Sequence, residues 1–226
     1  MPPASLAVSA AGVDFQNPLL LAAGTAAYGR ELAGVLDLES LGGLVTKAVS
    51  VERRDGASSP RVAEFEGGMI NAVGLANPGM DEVLAEHLPW LEKNVRRAKV
   101  LVNVVGGSIP DFATVISRLD RSPAVSGYEL NVSCPNVKAG GTEFGADPAT
   151  LAEVVRTSRA ATRKALFVKL SPTLADIARA AQTAADAGAD GISVVNTMPG
   201  LVIDVERRQP VLGFGSGGVS GAGLLP

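Results

Sequence analysis

The chain has 226 residues, 46% of them hydrophobic, with no long polar tract, which is enough apolar content for a single globular domain with an ample core. A formal net charge of −3 without any Lys/Arg cluster argues against a nucleic-acid partner. The single cysteine, Cys134, excludes an internal disulfide, and with one histidine, His87, no zinc or iron–sulfur set can be assembled.

In chain order, the first apolar run is Leu19 to Ala23. With Pro18 it is too short to span a bilayer and lacks the basic flank of a signal peptide, so a cytoplasmic chain without a membrane partner is expected. Five further runs follow: Gly43 to Val49, Val100 to Val105, Tyr128 to Val132, Leu166 to Leu170 and Gly191 to Val195. They are continuous β-branched and aliphatic stretches, the signature of strands covered on both faces. Helical spacing appears between them over Asp147 to Lys164, which opens on an Asp N-cap with Pro148 at the first helical position. It appears again over Leu174 to Ala187, which ends at Gly188 as the C′ residue. His87, ahead of Leu88, Pro89 and Trp90, falls in a predicted helix-to-loop segment and reads as structural or exposed. Alternating β and α elements imply a parallel sheet, and such sheets bind ligands at the carboxyl ends of their strands.

Two short motifs carry no function. Gly213, Gly215 and Gly218 satisfy G-x-G-x-x-G, but the segment is glycine-rich at almost any spacing and no acidic residue stands twenty positions on. Asn131 to Ser133 spells a glycosylation sequon inside a predicted buried strand.

The informative pattern is at the ends of the runs. Thr46 and Lys47, Asn103, Asn131, Lys169, and Asn196 with Thr197 close five of them in turn. A buried amide or ammonium without a partner costs about 1 to 3 kcal/mol, so five in register point to a shared ligand. Within the fourth run Tyr128, Leu130 and Val132 share one face and Glu129, Asn131 and Ser133 the other. The apolar face is expected to meet helices and the polar face to line a barrel interior or its mouth. Cys134 then stands in the loop beyond that strand, between Asn131 and Asn136, with Gly140 and Gly141 as hinges of a lid. A loop thiol near two Lys side chains suits a base or a nucleophile. With no His and no carboxylate of evident catalytic placement, Cys134 is the best acid/base residue, which argues against a Ser-His-Asp hydrolase.

These residues carry a family resemblance. Glu129-Leu-Asn-Val-Ser-Cys-Pro-Asn136 with Gly140-Gly141, and Asn71-Ala-Val-Gly-Leu-Ala-Asn-Pro-Gly79, resemble the class 1 dihydroorotate dehydrogenases. Thr46-Lys47-Ala48, Val168-Lys169-Leu-Ser-Pro172, Asn196-Thr197 and Gly217-Gly-Val-Ser-Gly221 follow in matching order, so the likeness runs from end to end. Leu88-Pro-Trp-Leu91 leans toward the B subtype, whose catalytic subunit pairs with a flavin and iron–sulfur electron-transfer subunit that carries FAD. The resemblance implies FMN-dependent oxidation of dihydroorotate to orotate in pyrimidine (UMP) biosynthesis, with NAD through the partner, or fumarate directly, as final acceptor. It assigns Cys134 as the base at C5 while a hydride leaves C6 for FMN. For the substrate it implies Lys47, Asn71, Ala72, Val73, Gly74, Leu75, Asn131, Asn196 and Thr197. For the flavin it implies Ala23, Lys47, Ala48, Asn103, Asn131, Lys169, Val195 and Gly221. Ala23 departs from the Ser common in the family and offers only backbone.

The fold implied is a TIM (β/α)8 barrel, here one incomplete FMN-binding domain over residues 1–226. Such a barrel needs eight strands and about 250 residues, whereas six runs precede the glycine-rich segment that leads to Pro226. The last two βα units, which hold the FMN phosphate in this family, are expected to be missing. Two open edges would then be closed by further chain or by a second copy, and a polypeptide ending there is expected to hold FMN weakly and to associate as a homo-oligomer. Two other readings stay in view: a pyrimidine reductase like dihydropyrimidine dehydrogenase, and a catalytically silent binding or scaffold fragment.

Overall fold

In the computed structural model the described residues are 6–133, 135–136 and 142–224. Cys134, Gly140 and Gly141 lie outside them. All six apolar runs form strands of one sheet: β1 (Leu20–Leu21), β2 (Gly43–Val45), β3 (Lys99–Val104), β4 (Gly127–Asn131), β5 (Ala165–Lys169) and β6 (Gly191–Ser193). Each strand is parallel to its neighbour, and the spatial order repeats the chain order from β1 to β6. Sequential parallel neighbours linked by crossovers are the arrangement of a TIM-type barrel, here as a curled six-stranded half-barrel.

The crossovers carry the helices. Between β2 and β3 runs a continuous helical stretch: α1 (Met80–Glu82), a π-helical turn (Val83–His87) and α2 (Leu88–Asn94). Then come α3 (Ile109–Leu119), α4 (Pro148–Ala160) and α5 (Ile177–Asp186). Their starts are set by short acids that take otherwise orphaned backbone N–H groups. Asp111 accepts from the N–H of Gly107 and Ser108, Asp147 from that of Thr150, and Asp176 from that of Arg179.

Three expectations need correction. The helix expected from Leu174 begins at Ile177, because Asp176 caps it; its C-terminal end is as read, with Gly188 at φ +110° just beyond. The helix expected to reach Lys164 stops at Ala160, because the Arg159 guanidinium takes the carbonyls of Thr162 and Lys164 and turns the chain down into β5. His87 is not at a helix-to-loop junction but inside the helical stretch, where its ring stacks on Tyr28 at 4.1 Å between centroids and 24° between planes.

The outer face of the sheet is apolar and packs against these helices. Leu44, Val102, Tyr128, Leu130, Leu166 and Val168 join Phe112, Ile116, Leu119, Leu151 and Val155 in one buried cluster. The phenol of Tyr128 donates to the Ile116 carbonyl, so this buried polar tip is paired. At the amino end of the sheet a short hairpin, Val8–Ala10 with Val13–Phe15, lays Val13 and Phe15 against Ala165 and Phe167. At the carboxyl end sits a second, antiparallel sheet ordered Met198–Gly200, Gly217–Ser220, Gly68–Asn71, Val62–Phe65. The glycine-rich segment is thus a strand. It is glycine-rich because neighbouring backbones close on it: a Cβ at Gly217 would lie 2.4 Å from the Asn71 carbonyl oxygen. Among the described residues no helix is long and apolar enough to cross a membrane.

Truncating Leu130 to Ala is expected to cost about 2 to 5 kcal/mol, and Asp147→Ala about 1 kcal/mol; urea unfolding of the two variants measures both. Burial holds the His87 imidazole below its usual pKa, with Glu31, Glu82 and Glu86 opposing and Arg30 reinforcing the shift. The unfolded chain then binds the proton more readily than the folded one below about pH 6.5. Stability is expected to fall as pH drops from 7 to 5, and His87→Phe, which keeps a stacked ring, is expected to flatten that part of the thermal-midpoint profile.

Candidate functional site at the carboxyl ends of the strands

The inner face of the sheet is built in register layers. Asn103 on β3 is paired with Glu129 on β4, and Glu129 in turn with Phe167 on β5. One layer nearer the carboxyl end, Asn131, Lys169 and Ser193 stand side by side on β4, β5 and β6. Asn103, Glu129 and Asn131 are all buried. The Asn103 amide donates to Glu129 Oε1 at 2.7 Å, and the Ser193 hydroxyl donates to Glu129 Oε2 at 2.6 Å. Strands two apart are separated by roughly 9.6 Å when a sheet is flat. A carboxylate on β4 that reaches Ser193 across β5 therefore reports a sheet curled toward its polar face.

Just past β2, Thr46 is fully buried, donates its hydroxyl to the Lys47 carbonyl and accepts the backbone N–H of Asn103. Lys47 is held through its own N–H on the Ala27 carbonyl at 2.7 Å, and the Tyr28 phenol donates to the Ala48 carbonyl. Ala48 packs with Val105 and Leu75. The segment Asn71 to Leu75 folds over this point, with Gly74 at φ +69° and Leu75 at φ +57° bending it back. Ala72 is tied to the Arg61 carbonyl, and the Val73 carbonyl accepts from Ala57. Asn71 ends its strand in register with Gly218 and donates to the Gly218 carbonyl at 3.1 Å. Thr197 lies against the same glycine, since a Cβ at Gly218 would fall 2.0 Å from its hydroxyl oxygen. Asn196 accepts the Thr197 N–H on its side-chain oxygen and donates its own N–H to the Leu170 carbonyl.

The predicted residues accordingly gather into three neighbouring groups: Lys47, Ala48 and Leu75; Asn103, Asn131 and Lys169; Asn71 and Thr197 with Gly218. Val195, Ala23 and Gly221 are less closely drawn in. The sixth run was expected to stay in the sheet through Val195 but leaves it after Ser193. Leu170 bonds its N–H to Ser193 and its carbonyl to Asn196, so the chain turns around Leu170 and leaves Val195 half-exposed. Ala23 is partly exposed beyond β1, and Gly221, at φ +133°, closes on Gly67 and Gly68 in the antiparallel sheet.

Carboxyl groups do stand at the site, contrary to expectation. Glu129 is one. Glu143 is the other: it is paired with Pro135, next to Cys134, and burial raises its pKa while the Ser171 hydroxyl partly offsets that rise. The signal for Glu129 was a lone acid on the same face as Asn131 in an otherwise apolar strand; Glu143 had none. Two acceptor atoms at the site, Asn103 Oδ1 and Asn131 Oδ1, are buried without a hydrogen-bond partner among the described residues.

The family model for dihydroorotate dehydrogenase matches residues 5–226. The chain belongs to the dihydroorotate dehydrogenase family. A relative from Pelobacter propionicus, named dihydroorotate dehydrogenase B (NAD(+)), catalytic subunit, is 45% identical over 98% of this chain and 72% of its own length. One of the same name from Desulforudis audaxviator is 46% identical over 97% of this chain and 71% of its own. The Lactiplantibacillus plantarum protein named dihydroorotate dehydrogenase A (fumarate) is 43% identical over 98% and 72%. Within this dehydrogenase site, Gly218→Ala is expected to push Thr197 off its place and cost about 1 to 3 kcal/mol by overpacking. Chemical denaturation measures the loss, and a crystal structure of the variant would show the displaced Thr197.

Proposed function

We propose that this protein oxidises dihydroorotate to orotate on FMN in the pyrimidine pathway of the cytoplasm, as a single FMN-binding domain of the TIM-barrel class. The observation that carries the reading is the convergence of Lys47, Asn71, Asn131, Lys169, Asn196 and Thr197 at one end of the sheet in a chain of this family. The residues fit the cofactor: Asn103 and Asn131 keep buried acceptor oxygens unpartnered, and ring N–H groups of an isoalloxazine are donors of the right kind. When bound, FMN supplies the acceptor for the hydride that leaves C6 of the substrate.

The chain's own residues do the rest. Cys134, three residues after the end of β4 in the chain, takes the proton from C5 as a thiolate. Asn71 to Leu75, Asn131, Asn196 and Thr197 hold the pyrimidine and its carboxylate. Lys47 touches both ligands, and Lys47 and Lys169 supply positive charge beside them. Ala23, Ala48, Asn103, Val195 and Gly221 line the flavin side, the first and last through backbone. The names of two relatives, dihydroorotate dehydrogenase B (NAD(+)), catalytic subunit, support the B subtype and a partner subunit; that this partner passes the electrons to NAD through FAD and an iron–sulfur centre is part of the proposal. We also read β1 and β6 as edges that two further βα units close.

The visible spectrum of the purified chain with FMN, before and after anaerobic dihydroorotate, tests the reading: bleaching of bound flavin is expected, and a bound flavin that stays oxidised would refute it. Cys134→Ala is expected to leave flavin binding intact and lower turnover by about 10²- to 10⁴-fold; unchanged turnover would remove Cys134 as the base. Lys47→Ala is expected to weaken both ligands, seen in titrations of each, whereas a change in thermal stability alone would make Lys47 structural.

A further inference from the structure

We propose that Glu129 is a positioning residue that fixes the Asn103 amide so that its oxygen faces a ring N–H of the ligand. This rests on the FMN and dihydroorotate reading above. Glu129 is buried in the middle of the sheet, and among the described residues each carboxylate oxygen has one partner, Asn103 Nδ2 at 2.7 Å and Ser193 Oγ at 2.6 Å. Both carboxylate oxygens accept, and both partners present hydrogens to them. The amide of Asn103 cannot turn over, because its oxygen would then face the carboxylate at hydrogen-bond distance with no proton between them. Oδ1 is left on the side away from Glu129, buried and unpartnered among the described residues, and Asn131 Oδ1 one layer above is in the same condition.

The hydroxyl hydrogen of Ser193 is committed as well, so only its lone pairs remain. The inner face therefore offers acceptors at three points, on β3, β4 and β6, and calls for a ligand that donates. An imide N–H flanked by two carbonyls is such a donor, and both the isoalloxazine and the dihydropyrimidine ring carry one. Glu129 is not itself a contact residue. It acts through Asn103, and through Ser193 on the segment that carries Asn196 and Thr197.

The test compares ligands that differ by one methyl group. Fluorescence titration of the flavin-free chain gives its affinities for FMN and 3-methyl-FMN, and calorimetry gives those for dihydroorotate and its N3-methyl derivative. The native chain is expected to reject at least one methylated ligand by roughly tenfold or more, the worth of one buried hydrogen bond. The arm that shows the loss identifies the ring. Glu129→Ala is expected to abolish that discrimination, since Asn103 is then free to turn. Glu129→Gln is expected to weaken it, because a Gln amide can present its NH2 to Asn103 as readily as its oxygen and no longer dictates which way Asn103 turns. Ser193→Ala is expected to keep it. Equal affinity of the native chain for methylated and parent ligands in both arms would overturn the proposal whether or not the Ala variant folds. So would full discrimination in Glu129→Ala, or its loss in Ser193→Ala. Failure of the native chain to bind FMN at all, with normal pyrimidine discrimination, would instead count against the flavin reading alone.

Discussion

A carboxylate inside a curled parallel sheet must be answered by donors, and the organisation of this protein's inner face follows from how Glu129 is answered. Its partners lie on β3 and β6, so one side chain connects a central strand to the outermost one across β5. The apolar outer face supplies the bulk of the burial, through Tyr128, Leu130, Phe112 and the residues around them. Burial of that kind is indifferent to which polar groups point inward. The Glu129 contacts are directional, and they select an arrangement in which amide oxygens are left over.

Those leftover groups are the link between fold and chemistry. A sheet that satisfied all its interior groups would be a better core and a poorer site. Here Asn103 and Asn131 keep oxygens without a partner among the described residues, while Lys47 and Lys169 stand at or just past the carboxyl ends of their strands. The connections hold them there. Lys47 hangs from Ala27, Ala48 from Tyr28, and Tyr28 rests on His87, so the loop after β1 and the helix after β2 jointly set where the lysine stands.

Much of this was legible in the sequence, because the signals were local. Continuous apolar runs marked all six strands, and polar residues at their ends marked the mouth. Period-two alternation placed Glu129 and Asn131 on one face, and Asp147, Pro148 and Gly188 marked helix ends. What escaped was non-local. Nothing near Gly217–Ser220 reveals that it is a strand paired with Gly68–Asn71, because the cause is close backbone packing from a distant segment. The early exit of β6 depends on Leu170, and the late start of α5 on a choice of cap that propensity left open. His87 looked like a helix end because Pro89 follows, yet proline is tolerated in a first helical turn. Glu143 is brought in by a hairpin pairing with Pro135 that its own neighbours in sequence do not announce.

The antiparallel sheet over the mouth has a consequence for how the molecule comes into being. Asn71 and Gly218 meet across 147 residues of chain. Residues 99 to 186, by contrast, consist of βα units whose strands pair with near neighbours in sequence. Contacts of short sequence separation form first, and loop closure delays the distant ones. On a ribosome the half-barrel can thus take shape while the strand that covers it is still unmade. The mouth is covered later, when Gly217–Ser220 emerges and sets Gly218 against Asn71 and Thr197. Until that moment the polar inner face is open to water, which can satisfy the amide oxygens that have no partner among the described residues of the folded protein.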